Sequence, residues 1–257
     1  MKKLKLPDVT LVMVETREHE LAKLAVKDCM RAAEFGDVLI FTDKPKEFDL
    51  EGEQVRFHLV PDWPEKIGWS QAWWFDVPPL LRTKQTLNIQ WDSWISNAAM
   101  WKDEFLKYDF IGSPWWYKDG KNVGNGGFCL KSTRLARYIY KNRDKYPCTS
   151  DLDDDLLCRT YRFPLEEAGF TWASEKVAYD FAFECVAPEK PANHFGFHGM
   201  FNWPDVLDTQ RLYERVELAC KSPYIRDGRF MKALCQKHPE IIKKLVELDG
   251  GVSQLRA

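Results

Sequence analysis

The chain predicts an α/β fold in which a mostly parallel central sheet is flanked by helices. Three observations carry this: apolar runs of strand length, helical periodicity between them, and turn-forming residues at their ends. Residues 9–14 are continuously apolar up to Glu15-Thr16-Arg17 and read as a first strand buried on both faces. Within residues 18–35, Leu21, Leu24, Ala25, Met30 and Ala33 fall near helical spacing, and Gly36 reads as the helix stop. Residues 38–42 are a second buried strand leaving through Asp43-Lys44-Pro45, and residues 55–60 a third. The aromatic stretch 69–81 reads as a helix ended or kinked at Pro78-Pro79. Residues 86–89 are the fourth strand, and Gln90-Trp91-Asp92 leaves from its carboxyl end. Ligands of such sheets bind beyond the strand carboxyl ends, the edge that should carry Thr16, Arg17, Asp43 and Asp92.

The pattern then changes. Residues 101–108 read as an amphipathic helix, 109–112 as a short strand, 113–122 as a loop rich in Trp, Tyr and Lys, and 127–130 as another strand. A helix is expected over 132–145, and the acidic run Asp151-Leu152-Asp153-Asp154-Asp155 opens a further one. The tail is helical in pattern over 211–221, 229–237 and 240–248. No Gly/Ser-rich linker or repeat interrupts the chain, so the reading is a domain over 1–208 with a helical extension over 209–257 packed on it.

The 257 residues have room for one large domain or two small ones. With 37 Lys and Arg against 39 Asp and Glu, the chain does not suit nucleic-acid binding through overall charge, although a local basic face is compatible with it. No apolar run reaches the roughly 18 to 20 residues of a membrane span. The basic start is not followed by an apolar leader segment, so a cytoplasmic protein is expected. Seven cysteines without a C-x-x-C pair read as reduced, mostly buried thiols. Most of the eleven tryptophans should be core, with one or two exposed to stack on a sugar or a base.

Two small polar motifs stand out, Gln90-Trp91-Asp92 and Gly124-Asn125-Gly126-Gly127. A carboxylate at a strand end followed by a glycine-rich turn is a way to build a metal and phosphate pocket. Each has a plainer reading: Asp92 as a turn or cap residue, the glycines as a tight hairpin, the acids at 153–155 as helix capping.

In order along the chain come Asp92, the turn 124–127, the acids 153–155 and His194-Phe195-Gly196-Phe197-His198-Gly199. Here the sequence resembles GT-A-fold glycosyltransferases, most closely a bacterial and phage family of such proteins with no assigned function. The resemblance covers residues 8–204 and rests on Gln90-Trp91-Asp92-Ser93, Phe105 with residues 108–115, residues 123–128, the acidic run with Leu165-Glu166 and Gly169, Phe183-Glu184, and residues 195–199.

The resemblance implies a GT-A-like (Rossmann-like) sheet and transfer of a sugar from a nucleoside diphosphate, with a UDP-sugar as the expected donor, to an acceptor hydroxyl with inversion. It implies Mn²⁺ or Mg²⁺ held by Asp92 and His198; the family's Asp-x-Asp is here Gln-x-Asp, with Gln90 placed to coordinate through its carbonyl or bind the ribose. His194 has no such match and reads as a structural residue. The acidic run resembles the Glu-Asp-Val type motif, which makes Asp154 the candidate base and Asp153 its orienting partner. Gly126 and Gly127 would let the donor sugar lie against bare backbone, with Asn125 offering a donor and an acceptor. Thr16, Arg17 and Asp43 are candidates for the nucleotide, Arg17 toward phosphate and Asp43 toward base or ribose, each with a plain surface-loop alternative.

Trp115 and Trp116 suit stacking on the acceptor, with Lys118, Lys121, Lys131, Arg134 and Arg137 as a basic surround. The acceptor is read as a glycan or as a hydroxymethylated pyrimidine in phage DNA. A non-catalytic nucleotide-sugar or glycan-binding module is the competing class, favoured by the depleted Gln-x-Asp and opposed by retention of Asp154.

Overall fold

In the computed structural model, the apolar run after the N-terminus forms one long strand, β1 (Leu4–Val14), whose last six residues are buried. The structure describes residues 3–48, 50, 54–63, 66–185, 193–220 and 222–248. These fall into two compact units, residues 1–198 and residues 199–257.

In the first unit β1 leads to α1 (His19–Ala32), which buries Leu21, Ala22, Ala25, Val26 and Cys29. The helix ends earlier than the sequence suggests. Ala33 is already extended, with φ −138° and ψ 158°, and opens β2 (Ala33–Thr42). Gly36 is therefore no helix stop. It lies inside β2, where a Cβ would run into the Pro7 carbonyl oxygen of β1, so the glycine permits close strand approach. β3 (Arg56–Leu59) completes the parallel group on this side.

The aromatic helix starts at α2 (Lys66–Gln71), widens through a π turn at Ala72–Asp76 and closes as α3 (Val77–Leu80), with both prolines in the last turn. Trp73 and Trp74 point inward from the wide turn; Trp74 Nε1 donates to the Tyr146 carbonyl at 2.7 Å. β4 (Gln85–Ile89) then pairs parallel to β1, with Val12 opposite Asn88 and Met13 opposite Ile89.

Short elements follow: β5 (Trp94–Ile95), β6 (Phe110–Ile111), β7 (Ser113–Pro114) and β8 (Val123–Gly124). The amphipathic helix expected over 101–108 is only a 3₁₀ turn, Asp103–Lys107. Trp101 and Phe105 meet edge to face at 5.5 Å, and Trp101 also packs on Phe195, so the apolar spacing reflects ring packing and not an α-helix.

β9 (Phe128–Ser132) runs antiparallel to β4 and β6, giving a six-stranded sheet in the order β3-β2-β1-β4-β9-β6 with β9 alone reversed. The fold is thus mixed α/β with a mostly parallel central sheet flanked by helices. Ser132 caps α4 (Thr133–Lys141), its side chain accepting from Leu135 N. Then come α5 (Asp153–Asp155), a π turn at Leu156–Thr160, α6 (Arg162–Glu167) and α7 (Glu175–Phe181). β10 (Ala182–Phe183) and β11 (Gly196–Phe197) form a small sheet with β5.

The second unit is helical: α8 (Trp203–Val206), α9 (Thr209–Ala219), α10 (Gly228–Lys237) and α11 (Pro239–Leu248). Asp208 and Asp227 cap α9 and α10 by accepting from backbone N–H groups of their first turns. Among the described residues no helix is long and apolar enough to cross a membrane. The thiols are less buried than expected: Cys29, Cys129 and Cys158 are enclosed and Cys148 half-buried, but Cys185, Cys220 and Cys235 are exposed.

Candidate functional site

Because β1 to β4 are parallel and β9 is reversed, one edge of the sheet collects the residues that follow Val14, Thr42 and Ile89 together with those preceding Phe128. Ser93 joins two of these segments. Its hydroxyl lies 2.6 Å from the Gly127 carbonyl, while the Gln90 N–H is 3.1 Å from the same carbonyl and 2.8 Å from Ser93 Oγ.

The glycine turn is held from within. Asn125 has φ +77°, and its Oδ1 accepts from the N–H groups of Gly127 at 2.6 Å and Phe128 at 3.3 Å, while Nδ2 donates to Ser113 Oγ at 3.1 Å. The Asn125 side chain is buried and engaged in shaping the turn. The Asn88 amide donates to the Gly126 carbonyl from below. Gly126 and Gly127 leave space that side chains of the chain itself occupy. A Cβ on Gly126 would lie 2.9 Å from Asp153 Oδ1, and one on Gly127 would overlap the His198 imidazole.

His198 is the hub of the cluster. Its Nδ1 is 2.9 Å from Glu184 Oε1, and its Nε2 is 3.1 Å from Gln90 Oε1 and 3.4 Å from Asp92 Oδ1. A carboxylate only accepts, so Nδ1 carries a proton and Nε2 faces oxygen from two sides. Burial favours the neutral ring, but Asp92 and Glu184 outweigh it and hold the imidazole protonated well above the ordinary histidine range. The geometry calls for positive charge beside Nε2, which a proton or a divalent cation supplies.

Among the described residues, no three His, Cys, Asp or Glu side chains are grouped to hold a metal ion. Asp92 and His198 with the Gln90 carbonyl oxygen make a three-donor set that suits a hard cation taking its remaining ligands from phosphate and water. Glu184 on Nδ1 fixes the His198 tautomer, the place an outer carboxylate takes beside a histidine that would hold a metal.

The two acids opening α5 are unlike. Asp153 is buried and pairs with Lys131 Nζ at 3.0 Å, and the Lys131 ammonium also lies 4.7 Å from the Trp73 ring centroid. Burial alone would lower the Lys131 pKa, but Asp153 raises it above its ordinary value. Asp154 Oδ2 accepts from the Gly126 N–H at 2.9 Å. Burial first, then the charges of Asp153 and Glu184, push the Asp154 carboxyl up to about 6 against the Gly126 N–H, which pulls it down. One contiguous cluster therefore runs from Asp154 through Gly126 and Gly127 to His198, with Gln90, Asp92 and Glu184 around the ring.

Further along the edge, the Glu15 carboxylate accepts from the N–H groups of Thr16, Arg17 and Glu18 at 3.0, 2.8 and 3.1 Å. Thr16 is buried and Arg17 exposed. Asp43 Oδ1 is 2.7 Å from His19 Nε2, and His19 Nδ1 is 3.5 Å from Glu47. Trp115 is buried with its ring over Gly124, whereas Trp116 is 60% exposed, so of the pair only Trp116 presents a face. Trp116 packs on Tyr117 at 5.2 Å, and Tyr117 is backed by the Arg159 guanidinium at 3.6 Å, itself paired with Asp119.

The basic surround expected for this aromatic pair does not form as drawn from the sequence. Lys131 is enclosed against Asp153, and Arg134 and Arg137 sit at the opposite edge of the sheet, where Thr133 N donates to the Lys84 carbonyl. His194 is buried with its ring on Phe183 and its Nδ1 facing the Tyr179 carbonyl, a packed position outside the cluster. Sequence reasoning missed Lys131 as Asp153's partner, His19 as Asp43's, and Glu15 as the residue closing the first loop. A lysine in an otherwise apolar strand and a histidine at the start of the first helix were the available signals.

A family model described as a protein of unknown function (DUF5672) matches residues 71–198, a span that contains Gln90, Asp92, Gly126, Gly127, Asp154, Glu184 and His198. No curated protein matches the chain. Among solved structures, one of a glycosyltransferase involved in the glycosylation of the major capsid of PBCV-1 is similar with a TM-score of 0.47 and 10% identity, covering 74% of this chain and 91% of that one.

Proposed function

We propose that the protein is a glycosyltransferase that moves a sugar from a nucleoside diphosphate to an acceptor hydroxyl, with Asp154 as the base. The observation that carries this reading is Asp154 itself: a carboxyl pushed up to about 6, fixed by the Gly126 N–H beside the cluster of Gln90, Asp92, Glu184 and His198. A base poised just below neutral is ionised at working pH yet still accepts a proton readily.

Asp154 takes the acceptor's hydroxyl proton as the acceptor oxygen bonds to the anomeric carbon, and the bond from that carbon to the diphosphate breaks, the leaving oxygen keeping its electron pair. Attack from the face opposite the leaving group inverts the centre. Asp153, paired with Lys131, holds the start of α5 so that Asp154 reaches the turn. Gln90, Asp92 and His198 would hold Mn²⁺ or Mg²⁺, and such an ion supplies positive charge against the departing diphosphate. Glu184 keeps the His198 ring oriented. Thr16, Arg17 and Asp43 lie along the same strand edge and suit the nucleotide, a UDP-sugar being the first choice. Trp116, backed by Tyr117 and Arg159, suits the acceptor, for which a glycan is preferred and a hydroxymethylated pyrimidine in DNA is the alternative.

Gln90, neutral where the Asp-x-Asp motif has its first carboxylate, favours a second reading, a nucleotide-sugar-binding module without turnover. Release of nucleoside diphosphate from a panel of nucleotide sugars, with glycan and hydroxymethylated-DNA acceptors, separates the two. Transfer abolished in Asp154→Asn with donor binding kept supports the base; undiminished transfer removes it; donor binding without transfer to any acceptor favours the module.

A further inference from the structure

The sheet edge opposite the candidate site carries a concavity of about 750 Å³ at the start of β4, the end of β9 and the exposed face of α4. Its walls hold five cationic side chains, Lys84, Lys107, Arg134, Arg137 and Lys141, against one carboxylate, Asp109. We propose that this basic cleft is a binding site for a small molecule bearing two or more phosphates, separate from the candidate active site.

The arrangement of α4 makes the cleft. Leu135 and Ile139 turn into the core, while Arg134, Arg137, Tyr138 and Lys141 follow one another at spacings of three, one and three residues along the opposite face. The two arginines are held in place before any ligand arrives. Arg134 pairs with Asp109, donates to the Gly169 carbonyl at 3.0 Å and lies over the Phe170 ring at 4.5 Å. Arg137 donates to the Leu81 carbonyl at 2.7 Å. Arg134 is offset by Asp109 but keeps N–H donors to spare, and Arg137, which meets only carbonyl oxygens here, keeps its charge.

Asp109 is occupied on all sides, by Arg134, by Ser132 Oγ at 2.5 Å and by the Thr171 N–H at 2.9 Å. Lys84 is offset by Asp8 at 3.1 Å. Lys107 and Lys141 are exposed and make no hydrogen bond or ion pair among the described residues. Two rigid arginines and two uncommitted lysines around a concavity are a match for multiple phosphate charges, with the forked guanidinium groups suited to phosphate oxygens. The volume lies in the range of small-ligand sites and suits a small polyphosphate. Five-residue β4 separates the cleft from Gln90, roughly 13 to 17 Å at strand rise, so one ligand does not fill both.

The probe is inorganic triphosphate, titrated calorimetrically into the full chain and into Lys107→Glu/Lys141→Glu, with Lys107→Gln/Lys141→Gln as a milder second variant. Both lysines are exposed, so melting temperatures should match the native chain. The proposal expects binding by the native chain, at least tenfold weaker in the charge-reversed variant and intermediate in the neutral one. No binding by the native chain, equal binding by all three, or displacement of triphosphate by a lower phosphate concentration of duplex DNA would each overturn it, the last by making the cleft a nucleic-acid surface.

Discussion

The imidazole of His198 fills the volume that a Cβ on Gly127 would need, so the glycine of the turn and the histidine after β11 are one structural unit. Gly127→Ala should force the ring away from Gln90 and Asp92. We expect a stability loss of about 1–3 kcal/mol from overpacking. Binding of nucleoside diphosphate with Mn²⁺ should weaken at least tenfold, measured by calorimetry beside a urea denaturation curve.

Lys131 and Asp153 form a buried pair that neither residue can leave without stranding the other's charge. Lys131→Met should cost about 3–5 kcal/mol. Adding Asp153→Asn should recover part of that loss. Urea unfolding of the single and double variants checks this, and equal stability of the two would contradict it.

The folded chain holds the Asp154 proton more tightly than the unfolded chain, its carboxyl pushed up to about 6 from the ordinary aspartate value near 4. Ionisation of Asp154 therefore penalises the folded state as pH rises from about 4 past 6, and kcat/KM should fall on the acid side below about pH 6. Asp154→Asn should abolish transfer and yet raise stability above pH 6 by on the order of 1–2 kcal/mol, allowing for partial exposure. The gain should vanish below about pH 4, as thermal melts across this range would show.

Trp115 and Trp116 are neighbours with opposite fates. Trp115→Ala should destabilise by about 3–5 kcal/mol. Trp116→Ala should change stability by less than about 0.5 kcal/mol. It should raise the acceptor KM while leaving donor binding unchanged, which steady-state kinetics with both substrates measures.

The parallel sheet was legible because β1 and β2 are apolar on both faces near their carboxyl ends, and the position of Asp92 followed from β4, a buried strand that carries Gln85, Thr86 and Asn88. The end of α1 was not, because Gly36 serves contact with Pro7 and carries no local sign of that distant partner. Residues 101–108 imitated a helix because Trp101 and Phe105 both reach the same phenylalanine, Phe195. At the site, Asp154, His198 and the glycines stood out by type and order. The Glu184 contact to His198 and the Lys131 contact to Asp153 depend on chain segments meeting across 14 and 22 residues, which spacing does not reveal.

The donor site is the claim on which the rest depends. Calorimetric titration of the chain with nucleoside diphosphates and their sugars, with and without Mn²⁺, tests it most directly. The account predicts metal-strengthened binding of at least one nucleotide sugar that is lost in Asp92→Ala; no binding of any member, with or without metal, would contradict it.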